Sequence, residues 1–291
     1  MLPRRLARLA ITLVAAAGCG DVGEAASPRD GPLSKFLALP PPTSDSLYFL
    51  DSKESTTPLA PADAVCPDDM IEVEGNYCPW LEQHCAHWLP RGEDEPQLRC
   101  AEFRKTGPCL MPQKHVHFCV DRYEWPNRAG ALPAISMNWY EAKATCTSIG
   151  KRLCADDEWT VACEGPERTP YPYGFTRDPH VCNTDRHWYR PDNQLYVYPP
   201  TRAAETARLD QRERSGARPS CVSSFGVYDM TGNVDEWVKN ETQQCKPYCS
   251  GLKGGAWTPV RNRCRPMTTG HEEKFSYYQV GFRCCSDVPR P

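Results

Sequence analysis

The groups in this chain best suited to chemistry are carboxylates and sulfurs set among glycines. In Gly226-Val227-Tyr228-Asp229-Met230-Thr231-Gly232-Asn233-Val234-Asp235-Glu236-Trp237, Asp229 and Glu236 put two carboxylates around a glycine turn, which frees main-chain carbonyls at Gly232 and Val234. An all-oxygen set of this kind suits calcium, a hard cation that takes six to eight oxygen ligands. The plainer alternative is a Gly-Asn turn with Glu236 as a solvated carboxylate. Histidine offers less. His115 and His117 alternate on a strand pattern and share one face, where two imidazoles could bind zinc or copper. No third ligand accompanies them, so solvent-facing strand histidines fit better. His84 and His87 flank Cys85 and read as a surface pair. Ser223, Ser224 and Ser250 have no histidine and carboxylate at recognisable spacing, and Gly-x-Ser-x-Gly is absent. Asp156-Asp157 falls at a predicted helix start, where negative charge favours the macrodipole.

Sulfur says more about compartment than about catalysis. The chain has 17 cysteines in 291 residues, far more than a reducing cytosol would maintain as disulfides. The nearest spacings, Cys245-x3-Cys249, Cys78-x6-Cys85 and the adjacent Cys284-Cys285, are not the paired Cys-x2-Cys knuckles of zinc sites. Disulfides are the better account. The N-terminus agrees: Arg4, Arg5 and Arg8 precede a short apolar run, Leu9 to Val14, and the small residues Ala15 to Gly18. This is the pattern of a secretory signal, and the run is too short to span a bilayer. Ala16-Ala17-Gly18-Cys19 resembles a bacterial lipobox, whose cysteine is acylated, the alternative being ordinary cleavage with Cys19 incidental. Residues 1–18 are therefore read as a signal peptide and Cys19 as the lipidated residue. Gly20 and Asp21 follow it, so the usual inner-membrane retention signal, an Asp directly after the cysteine, is missing. An outer-membrane anchor is expected.

Assigning Cys19 to lipid leaves 16 of the 17 cysteines, an even number for bridges. With a net charge of −3 and no long basic tract, nucleic acid is not an expected partner. Residues 19–64 carry Pro28, Pro32, Pro40, Pro41, Pro42, Pro58 and Pro61 without an apolar period, which reads as a tether. The folded part is expected over residues 65–288, with 65–118 as its Cys-rich beginning.

The elements that would position these groups are short. Met70 to Gly75 alternates and reads as a strand ending on a turn glycine, and His117 to Glu124 as a second strand. A short helix is expected around Trp80 to Leu89. Asn138 followed by Glu141 has the form of a capping box and starts a helix that Gly150 stops, with Tyr140, Ala144 and Cys146 on its apolar face. A second helix runs Asp156 to Cys163, with Trp159 and Cys163 on one face. From Gly165 to residue 221 the pattern is loop, and from 222 to 285 short strands alternate with glycine turns. The sum is α+β. Tyr171-Pro172-Tyr173-Gly174-Phe175 and His187-Trp188-Tyr189 could form a carbohydrate or peptide surface, or equally cover a small core.

Three blocks in order resemble the formylglycine-generating enzyme, or sulfatase-modifying factor, family. They are Asn138-Trp139-Tyr140-Glu141-Ala142 with Gly150-Lys151-Arg152-Leu153 and Glu158-Trp159, the Gly226 to Trp237 stretch, and Lys253-Gly254-Gly255-Ala256-Trp257 closing on Gly281-Phe282-Arg283-Cys284. The resemblance spans about residues 66 to 285 and implies a loop-rich, C-type-lectin-like α+β fold. It places calcium ligands at Asp229, Gly232, Val234 and Glu236, with Asp229 replacing the more usual Asn. A second calcium would use Asn183 and the Thr184 carbonyl. It also implies bridges Cys146–Cys284 and Cys163–Cys264, each closing a loop of more than 100 residues. On the chain-entropy account each would contribute about 4–5 kcal/mol.

The family's oxidase chemistry uses two enzyme cysteines with copper, soft sulfur being suited to Cu(I). Counting from Trp257 puts Pro259 at the first position, where no thiolate can form, and Cys264 at the second. A shifted alignment gives Cys264 instead to the structural bridge with Cys163. Either way the copper pair is incomplete, copper is not expected, and Cys264 is the sole catalytic candidate. Other branches of the family carry non-haem iron on an added helical domain, and no His-x3-His-x-Glu spacing occurs here. The expectation is a non-catalytic binding or structural module, held to the bacterial envelope through its N-terminal lipid and taking a protein or glycan ligand. The alternative is an active oxidoreductase, forming formylglycine on sulfatases or acting through another metal.

Overall fold

The computed structural model describes residues 65–90, 99–105 and 107–288, within the unit Pro58–Pro291. The expected signal peptide (1–18), Cys19 and the tether (19–64) lie outside the described residues. β1 (Met70–Tyr77) carries the predicted alternation: Val73 is fully buried, while Glu72 and Glu74 face solvent. It runs past Gly75 because that glycine serves packing and not a turn. A Cβ there would stand 3.0 Å from Val161 Cγ1. β1 pairs antiparallel with β4 (Lys114–Asp121), Met70 opposite Asp121 and Tyr77 opposite Lys114. The second strand thus starts three residues earlier than the pattern indicates and stops before Arg122.

The helix expected around Trp80 to Leu89 is not there. Cys85–Trp88 is β2, paired antiparallel with β3 (Cys100–Phe103) and bonded to it through Cys85–Cys100. A short segment takes its conformation from its partner, and here the partner is a strand.

α1 (Trp139–Ser148) has the capping box in full. Asn138 Oδ1 accepts from the Glu141 amide at 2.9 Å, and Glu141 Oε2 accepts from the Asn138 amide at 2.8 Å. Its buried residues are Trp139, Ala142 and Cys146, whereas Tyr140 and Ala144, expected inward, face out. The i, i+3, i+4 row that ends at Cys146 passes through Ala142 and Trp139, and Cys146 is fixed inward by its bridge to Cys284. Gly150 adopts φ 75 after the last turn, as its role of stop residue requires.

β5 (Arg152–Leu153) leads into α2 (Asp156–Glu164), whose Trp159 and Cys163 are both fully buried. The long segment after Gly165 is not all loop: it contains α3 (Asn193–Val197) and α4 (Pro199–Leu209). α4 starts on two prolines, which are tolerated in a first helical turn because the missing N–H has no partner there. It buries only Glu205 and Leu209, so no apolar period marks it.

The last third supplies β6 (Asp235–Lys239), β7 (Ser250–Lys253), β8 (Met267–Thr268), β9 (Val280–Phe282) and β10 (Cys284–Asp287). One sheet runs β1-β4-β10-β5 and another β8-β7-β6-β9, with β6 and β9 parallel. α2 packs between them, touching β1 and β4 on one side and β6 and β7 on the other. Around it gather Val73, Phe118, Val120, Trp159, Val227 and Met230, while a second cluster joins Trp139, Leu153, Trp237 and Phe282. This is a loop-rich, disulfide-stapled α+β fold. Eight bridges pair all 16 described cysteines: Cys66–Cys119, Cys78–Cys109, Cys85–Cys100, Cys146–Cys284, Cys154–Cys285, Cys163–Cys264, Cys182–Cys221 and Cys245–Cys249.

Candidate functional site

The Gly254-Gly255 turn after β7 brings the chain back over the core. Both glycines have positive φ, and a Cβ on Gly254 would meet the Met230 carbonyl oxygen at 2.8 Å. Beyond it, Pro259 offers no ligand atom. Cys264 is joined to Cys163 of α2, the pairing that belongs to the shifted alignment. No thiolate is therefore free at either position where the copper chemistry would need one.

The Gly226–Trp237 segment leads into β6. Glu236 is 1% exposed and its carboxylate is fully engaged. Arg283 Nε donates to Oε2 and Arg283 Nη2 to Oε1, both at 2.7 Å, and the Trp159 indole N–H donates to Oε2 at 2.7 Å. It is neither solvated nor available as a calcium ligand: the neighbouring cation is a guanidinium. Asp229 is buried at φ 57 and accepts from the Gly216 amide at 2.8 Å. Burial, with Glu236 and Glu213 adding to it and Gly216 and Arg283 opposing, pushes the Asp229 carboxyl up to about 6. Gly232 has φ 83, and a Cβ there would stand 2.4 Å from the Asn183 carbonyl oxygen, so the turn closes only with glycine. The Val234 amide donates to Glu124 Oε1 at 3.2 Å. Glu124 also takes the Asn233 amide at 2.8 Å and the Ser215 hydroxyl at 3.1 Å. Its burial, then the Asp229 and Glu236 charges, push its carboxyl well above the usual range. Asp229 and the carbonyls of Gly232 and Val234 thus fit a calcium shell only in part, since calcium would lose Glu236 to Arg283.

The second expected calcium position shows the same substitution. Asn183 Oδ1 accepts from Arg186 Nε at 2.8 Å, and its amide donates to Gln211 and Asn233 at 3.0 Å. The Thr184 hydroxyl beside it is buried without a hydrogen-bond partner among the described residues. The histidines pair with acids across strands, His117 with Glu72 at 2.7 Å and His115 with Glu74 at 3.5 Å. Among the described residues no group of three or more His, Cys, Asp or Glu could hold a metal ion. In the first turn of α2, where both Asp156 and Asp157 stand as expected, Asp156 also makes a second contact. Its Oδ1 accepts the Glu241 and Thr242 amides at 2.9 and 3.1 Å, clamping the loop after β6. Of the aromatic segments, Tyr171 is buried against Phe103 and Tyr173, while Trp188 and Tyr189 are exposed.

A model of the sulfatase-modifying factor enzyme 1-like domain matches residues 77–288. The chain belongs to the sulfatase-modifying factor family. Over 198 residues it is 27% identical to the inactive C-alpha-formylglycine-generating enzyme 2 of Mus musculus, covering 62% of this chain and 61% of that one. Over 179 residues it is 27% identical to the formylglycine-generating enzyme of Mus musculus, covering 53% and 44%. The chain thus spans less than two thirds of the length of these curated relatives. PvdO from Pseudomonas aeruginosa aligns over 77% of this chain and 95% of its own, with 16% identity and a TM-score of 0.47.

Three groups of this sulfatase-modifying factor domain escape a reading of its motifs. Arg283 sits in Gly-Phe-Arg-Cys, a motif read for its cysteine, yet its buried guanidinium balances Glu236. Glu124 ends a predicted strand and carries no spacing signal. Lys253 precedes the Gly-Gly turn, and only the fold shows that it is buried in a cleft beside α2.

Proposed function

We propose that the protein is a non-catalytic module of the sulfatase-modifying factor family, presented on the bacterial cell envelope to bind a protein or glycan. The observation that carries this is the Cys163–Cys264 bridge, which, with Pro259 at the other expected position, leaves the family's copper chemistry without a thiolate. The likeness to the inactive enzyme supports it. The lipobox at Cys19 and the Pro-rich stretch to residue 64 support a lipid anchor with a tether, on the outer membrane. Among the described residues no helix is long and apolar enough to cross a membrane. The lectin-like scaffold would present its loops as the binding surface. Calcium enters this reading as a supplement, with Asp229 and the Gly232 and Val234 carbonyls as donors and water completing the shell. A rise in melting temperature on adding calcium, reversed by a chelator, is its test.

The test of the main reading is thiol alkylation of the unreduced protein with peptide mapping, alongside Cu(I) titration and incubation with a sulfatase peptide carrying the target cysteine. No labelled cysteine among residues 65–288, no stoichiometric copper and no formylglycine are expected. A labelled Cys264 with one equivalent of copper would overturn the proposal in favour of an oxidoreductase. Incorporation of a palmitate analogue, lost in Cys19→Ser, tests the anchor.

A further inference from the structure

Lys253, the last residue of β7, is 2% exposed and lines a cleft of about 510 Å³ together with Tyr77, Trp80, Thr160, Thr242 and Met267. Its Nζ donates to Thr160 Oγ1 at 2.8 Å and to the Arg265 carbonyl at 3.0 Å, and lies 5.2 Å from the centre of the Trp159 ring. Thr160 gives its own hydroxyl hydrogen to the Asp156 carbonyl at 2.6 Å, so its oxygen can only accept from the lysine. Among the described residues no carboxylate forms an ion pair with Lys253. The nearby acids are committed elsewhere: Asp156 to the 241–242 loop, and Glu164 to Arg265 Nε and Nη2, both at 2.7 Å. Burial, reinforced by Arg261 and Arg265 and opposed by Asp156 and Glu164, pushes the amine down to about 7.

A neutral amine has two N–H bonds and one lone pair. Thr160 and Arg265 take the two hydrogens, so the lone pair is the group left to react. An anionic ligand suits the cleft poorly, because the Arg265 guanidinium is already paired and Asp156 lines the wall. A neutral carbonyl compound suits it. The imine it forms is neutral and needs no counter-charge, and Tyr77, Trp80 and Met267 offer apolar surface to its substituent.

We propose that this cleft is a covalent binding site for a small aldehyde or ketone, held at Lys253 Nζ as a Schiff base. The amine lone pair adds to the carbonyl carbon, and a proton passes from nitrogen to oxygen to give a carbinolamine. Loss of water then leaves a C=N bond in place of C=O, with no net oxidation or reduction. The inference goes beyond the tethered-module reading and does not rest on it.

The experiment is reductive trapping near neutral pH. The whole folded protein is incubated with benzaldehyde and cyanoborohydride, and modified lysines are mapped by mass spectrometry. Lys253 is expected to label at least about tenfold faster than exposed lysines such as Lys114 and Lys143. The preference should vanish when the protein is unfolded in denaturant with its bridges reduced. Lys253→Met should remove the fast label and leave the rest unchanged. If that variant fails to fold, the folded-against-unfolded comparison of the wild type decides alone. Labelling of Lys253 no faster than the surface lysines would overturn the proposal. Thiol mapping of the same sample is a separate readout, so failure here and failure of the non-catalytic reading are distinguishable.

Discussion

Arg283 meets Glu236 edge to edge, Nε on Oε2 and Nη2 on Oε1, at 2.7 Å each and with neither side chain reaching solvent. The same guanidinium donates to the Asp121 and Tyr228 carbonyls, and the same carboxylate receives the Trp159 indole. One ion pair therefore connects the end of β4, the Tyr228 turn, α2, β6 and the link between β9 and β10. Breaking a buried pair from one side strands the other charge, which costs about 3–5 kcal/mol. Arg283→Met is expected to lose that much in urea unfolding, and Arg283→Met with Glu236→Gln to recover part of it.

The cap of α1 gives a smaller effect. Asn138→Ala removes the oxygen that satisfies the Glu141 amide, at about 1 kcal/mol. For a domain of this size that is a fall of about 2–4 °C in a thermal melt. Asn138→Asp should restore most of it.

Two glycines separate backbone strain from crowding. Gly130 has φ 75 with nothing near a would-be Cβ, whereas Gly232 has φ 83 and the Asn183 carbonyl oxygen 2.4 Å from that position. Gly130→Ala should cost about 1–2 kcal/mol for its left-handed conformation. Gly232→Ala adds a clash that overpacked sites resolve for about 1–3 kcal/mol more. Chemical denaturation of the two variants side by side checks the ranking.

Lys253 also predicts a pH dependence. Its amine sits at about 7 when folded against an ordinary value of 10.5. Between these values the unfolded chain binds the extra proton, so the lysine's contribution to stability rises with pH, by up to about 1.4 kcal/mol per unit. The charged groups acting on the amine are Asp156 and Glu164, which raise it, and Arg261 and Arg265, which lower it. Wild type should therefore gain on Lys253→Met as pH is raised from neutral towards ten, in denaturation curves taken at each pH.

Much of the scaffold is visible in the residue order because its signals are local. Asn138 with Glu141 marks a helix start whatever surrounds it, and Trp159 with Cys163 marks a face. The Cys146–Cys284 and Cys163–Cys264 pairings are implied by the family likeness, since spacing alone leaves connectivity open. What is not visible depends on partners distant in sequence. Cys85–Trp88 is a strand because Cys100–Phe103 lies beside it, and α4 buries too little to show a period. The site suffers most, because a carboxylate in a glycine turn reads alike whether calcium, water or Arg283 faces it. Glu236 and Arg283 are 47 residues apart, and nothing local joins them.

The adjacent Cys284 and Cys285 lie on β10, where successive side chains point to opposite faces. One joins Cys146 of α1, in the cluster around Trp139; the other joins Cys154, in the cluster around Trp159. β10 itself fits between β4 and β5. A chain synthesised or exported N-terminus first exposes Cys146 and Cys154 well before their partners, 138 and 131 residues further on, have emerged. The first sheet and two of its staples thus close only when the final strand arrives. β10 acts as the latch of that sheet, and without it Cys146 and Cys154 are left with no native partner.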